Sequence, residues 1–134
     1  MSIAGGCSSN QRLRGYGALK PTEEPIIAPN TPFEKAEASA KALRDWQPAP
    51  RIGIVLGSGL GNFSDTLDAP KRHAYADIPH FPATGVVGHS GELIVGQLPG
   101  SDVPVAVLSG RAHLYEGHST ATVVHATRTM ATWG

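Results

Sequence analysis

Residues 51–62 read R-I-G-I-V-L-G-S-G-L-G-N, a strand-like run that ends in three closely spaced glycines. Ile52, Ile54, Val55 and Leu56 form a short apolar run, mostly β-branched, which breaks into Gly57, Ser58, Gly59, Leu60 and Gly61. A buried strand feeding a glycine-rich turn is how many α/β proteins present backbone N–H groups to an anion. Glycine reaches φ > 0 and carries no Cβ, so the backbone can approach a ligand closely. Ser58 adds a hydroxyl donor inside the turn. The dinucleotide fingerprint is not met, because Asn62 stands where its third glycine belongs, and no Lys-Ser/Thr pair follows to make a Walker loop. On these residues alone, a plain strand-to-helix turn and an anion site are an even choice.

Upstream, Thr31-Pro32-Phe33-Glu34 is a helix start. Thr31 fits the N-cap, Pro32 the first helical position, and Glu34 completes a capping box. Phe33, Ala36, Ala40 and Leu43 then recur on one face at helical spacing. Gln47-Pro48-Ala49-Pro50 ends the helix and hands over to the strand. Residues 1–30 are rich in Gly, Ser and Pro without periodicity, and read as a disordered N-terminal arm.

The whole chain is 134 residues with eleven basic and eleven acidic side chains, so the formal net charge is zero. That length suggests one domain, here residues 31–134. Nothing in the charge pattern points to nucleic acid or an anionic membrane as a partner. Phosphate binding would have to come from a local site. The single cysteine, Cys7, excludes an intrachain disulfide and makes a cytoplasmic setting the default. Ala4-Gly5-Gly6-Cys7 lacks the apolar stretch and basic start of a lipoprotein signal. No window has the length of a membrane-spanning helix.

Downstream of the glycine turn, residues 60–67 suggest a short helix and residues 72–75 a short strand. Residues 78–89, I-P-H-F-P-A-T-G-V-V-G-H, form an extended loop, and loops of this length in a compact domain are often functional. His89, flanked by Gly88 and Ser90-Gly91, is free to reach a cleft, although on local sequence a surface histidine in a turn is the commoner case. Residues 92–98 and 103–108 read as two strands of a hairpin around Pro99-Gly100-Ser101-Asp102.

The second hairpin strand runs into Ser109-Gly110-Arg111-Ala112-His113-Leu114-Tyr115-Glu116-Gly117. If this segment is extended, Arg111, His113 and Tyr115 share one face, while Ala112 and Leu114 face the core. Arg offers a fork to phosphate oxygens. His donates, with a charge that can follow the anion's. Tyr can bond a sugar oxygen while its ring covers an apolar face. A solvated strand end is the plain alternative, but the glycines on both sides favour a site. Residues 119–133 then read as a helix capped by Ser119 or Thr120, with Val123, Ala126, Thr127 and Met130 as its apolar face.

Three motifs now stand in order: Gly57-Ser58-Gly59-Leu60-Gly61; Ile78-Pro79-His80-Phe81-Pro82 running to Gly88-His89-Ser90-Gly91; and Gly110-Arg111-Ala112-His113-Leu114-Tyr115-Glu116-Gly117. Together they resemble the trimeric, low-molecular-mass family of purine nucleoside phosphorylases, over residues 33–134 and over the N-terminal half of that family only. The resemblance implies a partial nucleoside-phosphorylase α/β fold, a mixed β-sheet flanked by helices, truncated. It implies phosphorolysis of purine (deoxy)ribonucleosides to the free base and (deoxy)ribose 1-phosphate. Phosphate contacts would fall on Ser58, His89, Arg111 and His113, with Tyr115 at the ribose. Inorganic phosphate is the co-substrate, with no metal or organic cofactor. The partners are a purine nucleoside, phosphate and, in a full-length protein, two further copies in a homotrimer.

This sequence departs from the family in having no counterpart of its later glycine-rich segment or of the acidic residue and asparagine that recognise the purine. Ala83-Thr84-Gly85 also differs from the usual Ser-Thr-Val style of that loop. The expectation is a chain inactive by itself. The competing readings are a truncated, non-catalytic phosphate-binding protein or a fragment that does not fold alone, and a Rossmann-like nucleotide module. The last leaves Arg111, His113 and Tyr115 unexplained.

Overall fold

The computed structural model describes residues 31–82 and 91–134. The proposed arm, residues 1–30, and the distal part of the long loop, with His89, lie outside the described residues. The chain runs α1 (Pro32–Trp46), β1 (Ile52–Val55), a 3₁₀ turn (Gly61–Thr66), β2 (Asp68–Ala74), a second 3₁₀ turn (Tyr75–Asp77), β3 (Glu92–Gln97), β4 (Pro104–Ser109), a third 3₁₀ turn (Leu114–Glu116), α2 (Thr120–Val123) and α3 (His125–Trp133).

Helix α1 begins as its sequence demands. The Thr31 hydroxyl accepts from the Glu34 N–H at 3.2 Å, and the Glu34 carboxylate accepts from the Thr31 N–H at 2.9 Å. Its buried face is Ala36, Ser39, Ala40 and Leu43. Phe33, expected on that face, is instead 70% exposed.

The four strands form one mixed sheet in the order β1-β4-β3-β2. β3 and β4 pair antiparallel as the expected hairpin, Glu92 opposite Ser109 and Gln97 opposite Pro104. β2 adds antiparallel to β3, with a register shift between Asp68 and Lys71 around Pro70, which has no N–H to give a ladder. β1 lies parallel to β4, Ile52 opposite Val105 and Val55 opposite Leu108.

Two-residue alternation sends the hairpin's side chains to two cores. Leu93, Val95, Ala106 and Leu108 pack with Ala40 and Leu43 of α1, Trp133 of α3, and Tyr75 and Ile78. Ile94, Val105 and Val107 pack on the other face with Leu56 and Leu67, against Phe63 of the first 3₁₀ turn. Met130 of α3 packs so close to β1 that a Cβ on Gly53 would lie 2.9 Å from its terminal methyl, a contact that the flexible methionine could relieve by shifting.

Two expectations are corrected. β1 is not a buried strand: it pairs only with β4 among the described residues, and Ile52 and Val55 remain about half exposed. The final helix is two segments that meet at Val124; Ala126 and Met130 of the predicted face are partly buried against the core, but the fully buried side chains are His125, Thr129 and Trp133, and Thr127 is exposed. The run of threonines and valines gives weak helix propensity there, and a buried histidine with partners takes the inward position.

Candidate functional site

Parallel pairing of β1 with β4 brings the C-terminal ends of both strands to the same end of the sheet, the place where open α/β sheets hold ligands. The Leu56 N–H continues the ladder one residue past β1, donating to the Leu108 carbonyl at 3.1 Å. Beyond that bond the two chains diverge. One becomes the glycine turn and the other becomes residues 109–116. Between them lies a cavity of about 160 Å³ lined by Leu56, Gly57, Ser58, Gly59, Gly61, Ser109, Gly110, Arg111, His113 and Tyr115.

The glycine turn closes with a Leu60 N–H to Gly57 carbonyl bond at 3.3 Å. Gly59 has φ +84°, a conformation that side chains rarely tolerate. The N–H groups of Ser58 and Gly59 meet no backbone acceptor among the described residues, and the turn is exposed. Backbone donors left open on a glycine turn form an anion-binding concavity.

Across the cavity, Gly110 has φ +99° and turns the chain out of β4. Ala112 is buried, as the alternating pattern predicts. The extended segment then stops at His113: residues 114–116 coil into a 3₁₀ turn, so Leu114 is 61% exposed instead of facing the core. Glu116 causes this turn locally. Its carboxylate accepts the His113 N–H at 2.7 Å, and Gly117, at φ +85°, ends the turn. The result still places His113 and Tyr115 side by side, with rings stacked 4.7 Å apart and 14° from parallel. Tyr115 is 81% exposed, and its ring forms the open rim of the cavity.

Of the five residues singled out from the sequence, Ser58, Arg111, His113 and Tyr115 therefore line one cavity. His89 is outside the described residues. Ser109, which also lines the cavity, and Glu116, which holds the His113 backbone, were not singled out. Glu116 was visible as an acidic residue three positions after His113, the spacing of a capping side chain. The groups present suit a small oxyanion. Arg111 supplies a charged fork, Ser58 a hydroxyl, His113 a ring N–H, and the turn its open amides.

No family model matches the chain. A relative from Bacillus subtilis, purine nucleoside phosphorylase 1, is 40% identical over 102 residues, covering 75% of this chain and 37% of its own length. A solved purine nucleoside phosphorylase from Schistosoma mansoni, in complex with acetate, superposes with a TM-score of 0.70 at 40% identity, covering 80% of this chain and 39% of that one. A further purine nucleoside phosphorylase structure, in complex with ribose-1-phosphate, gives a TM-score of 0.69 at 42% identity, covering 76% and 37%. The chain thus spans about a third of the length of the proteins it matches. Along that third it is a homologue of the purine nucleoside phosphorylases, and it folds there as they do.

Proposed function

We propose that the cavity is the phosphate subsite of a purine nucleoside phosphorylase. Ser58, Arg111 and His113 contact the phosphate, Tyr115 lies at the ribose, and His89 joins the phosphate ligands from outside the described residues. The observation that carries this reading is the convergence of Ser58, Arg111, His113 and Tyr115 on one cavity walled by the glycine turn. A similar structure that holds ribose-1-phosphate supports it, since that compound is the sugar product of such a reaction.

In this reaction an oxygen of inorganic phosphate forms a bond to C1′ as the bond from C1′ to the purine nitrogen breaks. The electron pair of the broken bond leaves with the base, which takes up a proton. The transition state has oxocarbenium character, as in glycoside cleavage. The negative phosphate beneath C1′ stabilises that developing cation, and holding it there removes much of the entropic cost of encounter. Electrons balance without an external acceptor, so inorganic phosphate is the only co-substrate and no organic cofactor enters. The purine as leaving base, a homotrimeric assembly and a cytoplasmic setting are parts of the same proposal, taken from the named relatives and the family resemblance.

Phosphate titration of the 134-residue chain, followed by amide NMR, tests the subsite. Shifts should concentrate at Gly57, Ser58, Gly59, Arg111 and His113. A chain that binds no phosphate, or binds it equally well as Arg111→Ala, overturns the reading.

A further inference from the structure

We propose that Tyr75 is a positioning residue for this site, holding the Gly110–Arg111 peptide in the orientation that the phosphate requires. The inference rests on the phosphate reading of the cavity. Tyr75 opens the 3₁₀ turn after β2 and is 3% exposed. Its ring belongs to the core beneath α1 and lies edge-on to Phe81, with centroids 5.0 Å apart. Packing alone would be served by phenylalanine. The hydroxyl instead donates to the Gly110 carbonyl at 2.8 Å, a contact that joins residues 35 positions apart. The Tyr75 N–H donates to the Gly91 carbonyl, also at 2.8 Å. One residue thus fixes both Gly110, a lining residue of the cavity, and Gly91, the residue just before β3.

Gly110 needs such a tether. At φ +99° it occupies a region where glycine moves easily, and it is the pivot between β4 and Arg111. The Gly110 carbonyl and the Arg111 N–H belong to one planar trans peptide, so they point in opposite directions. A carbonyl anchored on the buried Tyr75 hydroxyl therefore aims the Arg111 N–H away from the core. It also sets the direction in which the Arg111 side chain leaves the backbone. Burial raises the Tyr75 pKa, so the hydroxyl stays neutral and able to donate.

The test compares three variants of the 134-residue chain by phosphate titration and thermal melting: Tyr75→Phe, Ile78→Val in the same core, and Arg111→Ala. Tyr75→Phe should weaken phosphate binding about fivefold, the scale of one lost neutral hydrogen bond. Ile78→Val should lower the melting temperature but leave phosphate affinity unchanged, which separates positioning from general loss of stability. If Arg111→Ala weakens binding and Tyr75→Phe does not, the site stands and the role of Tyr75 is overturned. If Arg111→Ala also leaves binding unchanged, the phosphate reading falls and takes this inference with it. A measurement on the unsubstituted chain guards against a Tyr75→Phe variant that does not fold. Because coupling is reciprocal, saturating phosphate should slow hydrogen exchange at the Tyr75 N–H several-fold more than at the Val107 N–H in mid-β4. Equal slowing at both overturns the proposal.

Discussion

The Leu56 N–H donates to the Leu108 carbonyl at 3.1 Å, and this bond is the last link between β1 and β4 before their chains separate. It sets the width of the cavity, because the glycine turn starts at the next residue on one side and Ser109-Gly110-Arg111 starts on the other. Two segments about 50 positions apart in sequence are thereby held in fixed relation by parallel-sheet register, and neither needs a long side chain to find the other.

Among the described residues that line that cavity, Arg111 is the one that carries a permanent charge; it is exposed and has no ion-pair partner among the described residues. Removing it should not disturb the fold. Arg111→Ala is expected to weaken phosphate binding by about 1.5–3 kcal/mol, the range for a charged hydrogen bond, with an unchanged melting temperature. Isothermal titration with phosphate at low ionic strength measures the first, and a thermal melt the second.

Much of the fold is legible in the sequence. The capping box at Thr31, the hairpin of β3 and β4, and the glycine turn are written in local chemistry: a cap, alternating apolar residues, and residues that allow φ > 0. The meeting of Ser58, Arg111, His113 and Tyr115 at one cavity was legible because polar side chains at the end of a buried strand have few structural reasons to be there. Long-range choices were not legible. Nothing in residues 52–55 tells whether one neighbour strand or two will cover them, so the exposure of β1 could not be read. Leu114 looked buried by alternation until the Glu116 carboxylate took the His113 N–H and coiled the chain. Tyr75 looked like a strand residue, because its partner Gly110 lies 35 positions away.

The glycine turn offers two substitutions with opposite signatures. Gly59 sits at φ +84°, so Gly59→Ala should cost about 1–2 kcal/mol of stability from backbone strain. Gly57 is outside that region and a Cβ there would meet nothing within 4 Å, so Gly57→Ala should leave stability unchanged or raise it by about 0.5 kcal/mol. Both glycines line the cavity. Gly57→Ala should therefore weaken phosphate binding without a loss of stability, and urea unfolding alongside phosphate titration reads both. Full phosphate affinity in Gly57→Ala would argue that the anion does not approach this backbone.

Catalysis by the 134-residue chain should be slight. The cavity gathers groups suited to an anion and a sugar, and among the described residues no carboxylate or carboxamide side chain lines it to bond a purine edge. The stretch that the chain shares with the proteins it matches is 37% of the length of one and 39% of another. Incubation of the purified chain with inosine and phosphate is expected to release almost no hypoxanthine, even where phosphate titration shows binding. Rapid, phosphate-dependent release would show that the chain alone completes the purine site.

His125 links stability to pH. It is buried between α1 and the start of α3, and its Nε2 lies 3.0 Å from the Ser39 hydroxyl oxygen and 3.4 Å from that of Thr129. The Ser39 hydroxyl also meets the Pro79 and Lys35 carbonyls, so its hydrogen is committed to a carbonyl and its oxygen accepts from Nε2–H. Charging the ring then means adding a proton at Nδ1 inside the protein. Burial opposes this first, and the nearby His80, Lys35 and Arg128 oppose it further, so the folded pKa lies below the usual 6.5. The unfolded chain therefore binds more protons than the folded one between that lowered value and 6.5. The stabilisation is complete above pH 6.5 and is lost as pH falls through the folded pKa. Urea midpoints measured from pH 7.5 down to pH 5 should fall, and the fall should be shallower in His125→Asn, which keeps a donor near Ser39 but cannot titrate. Equal slopes in the two proteins would place the acid sensitivity elsewhere.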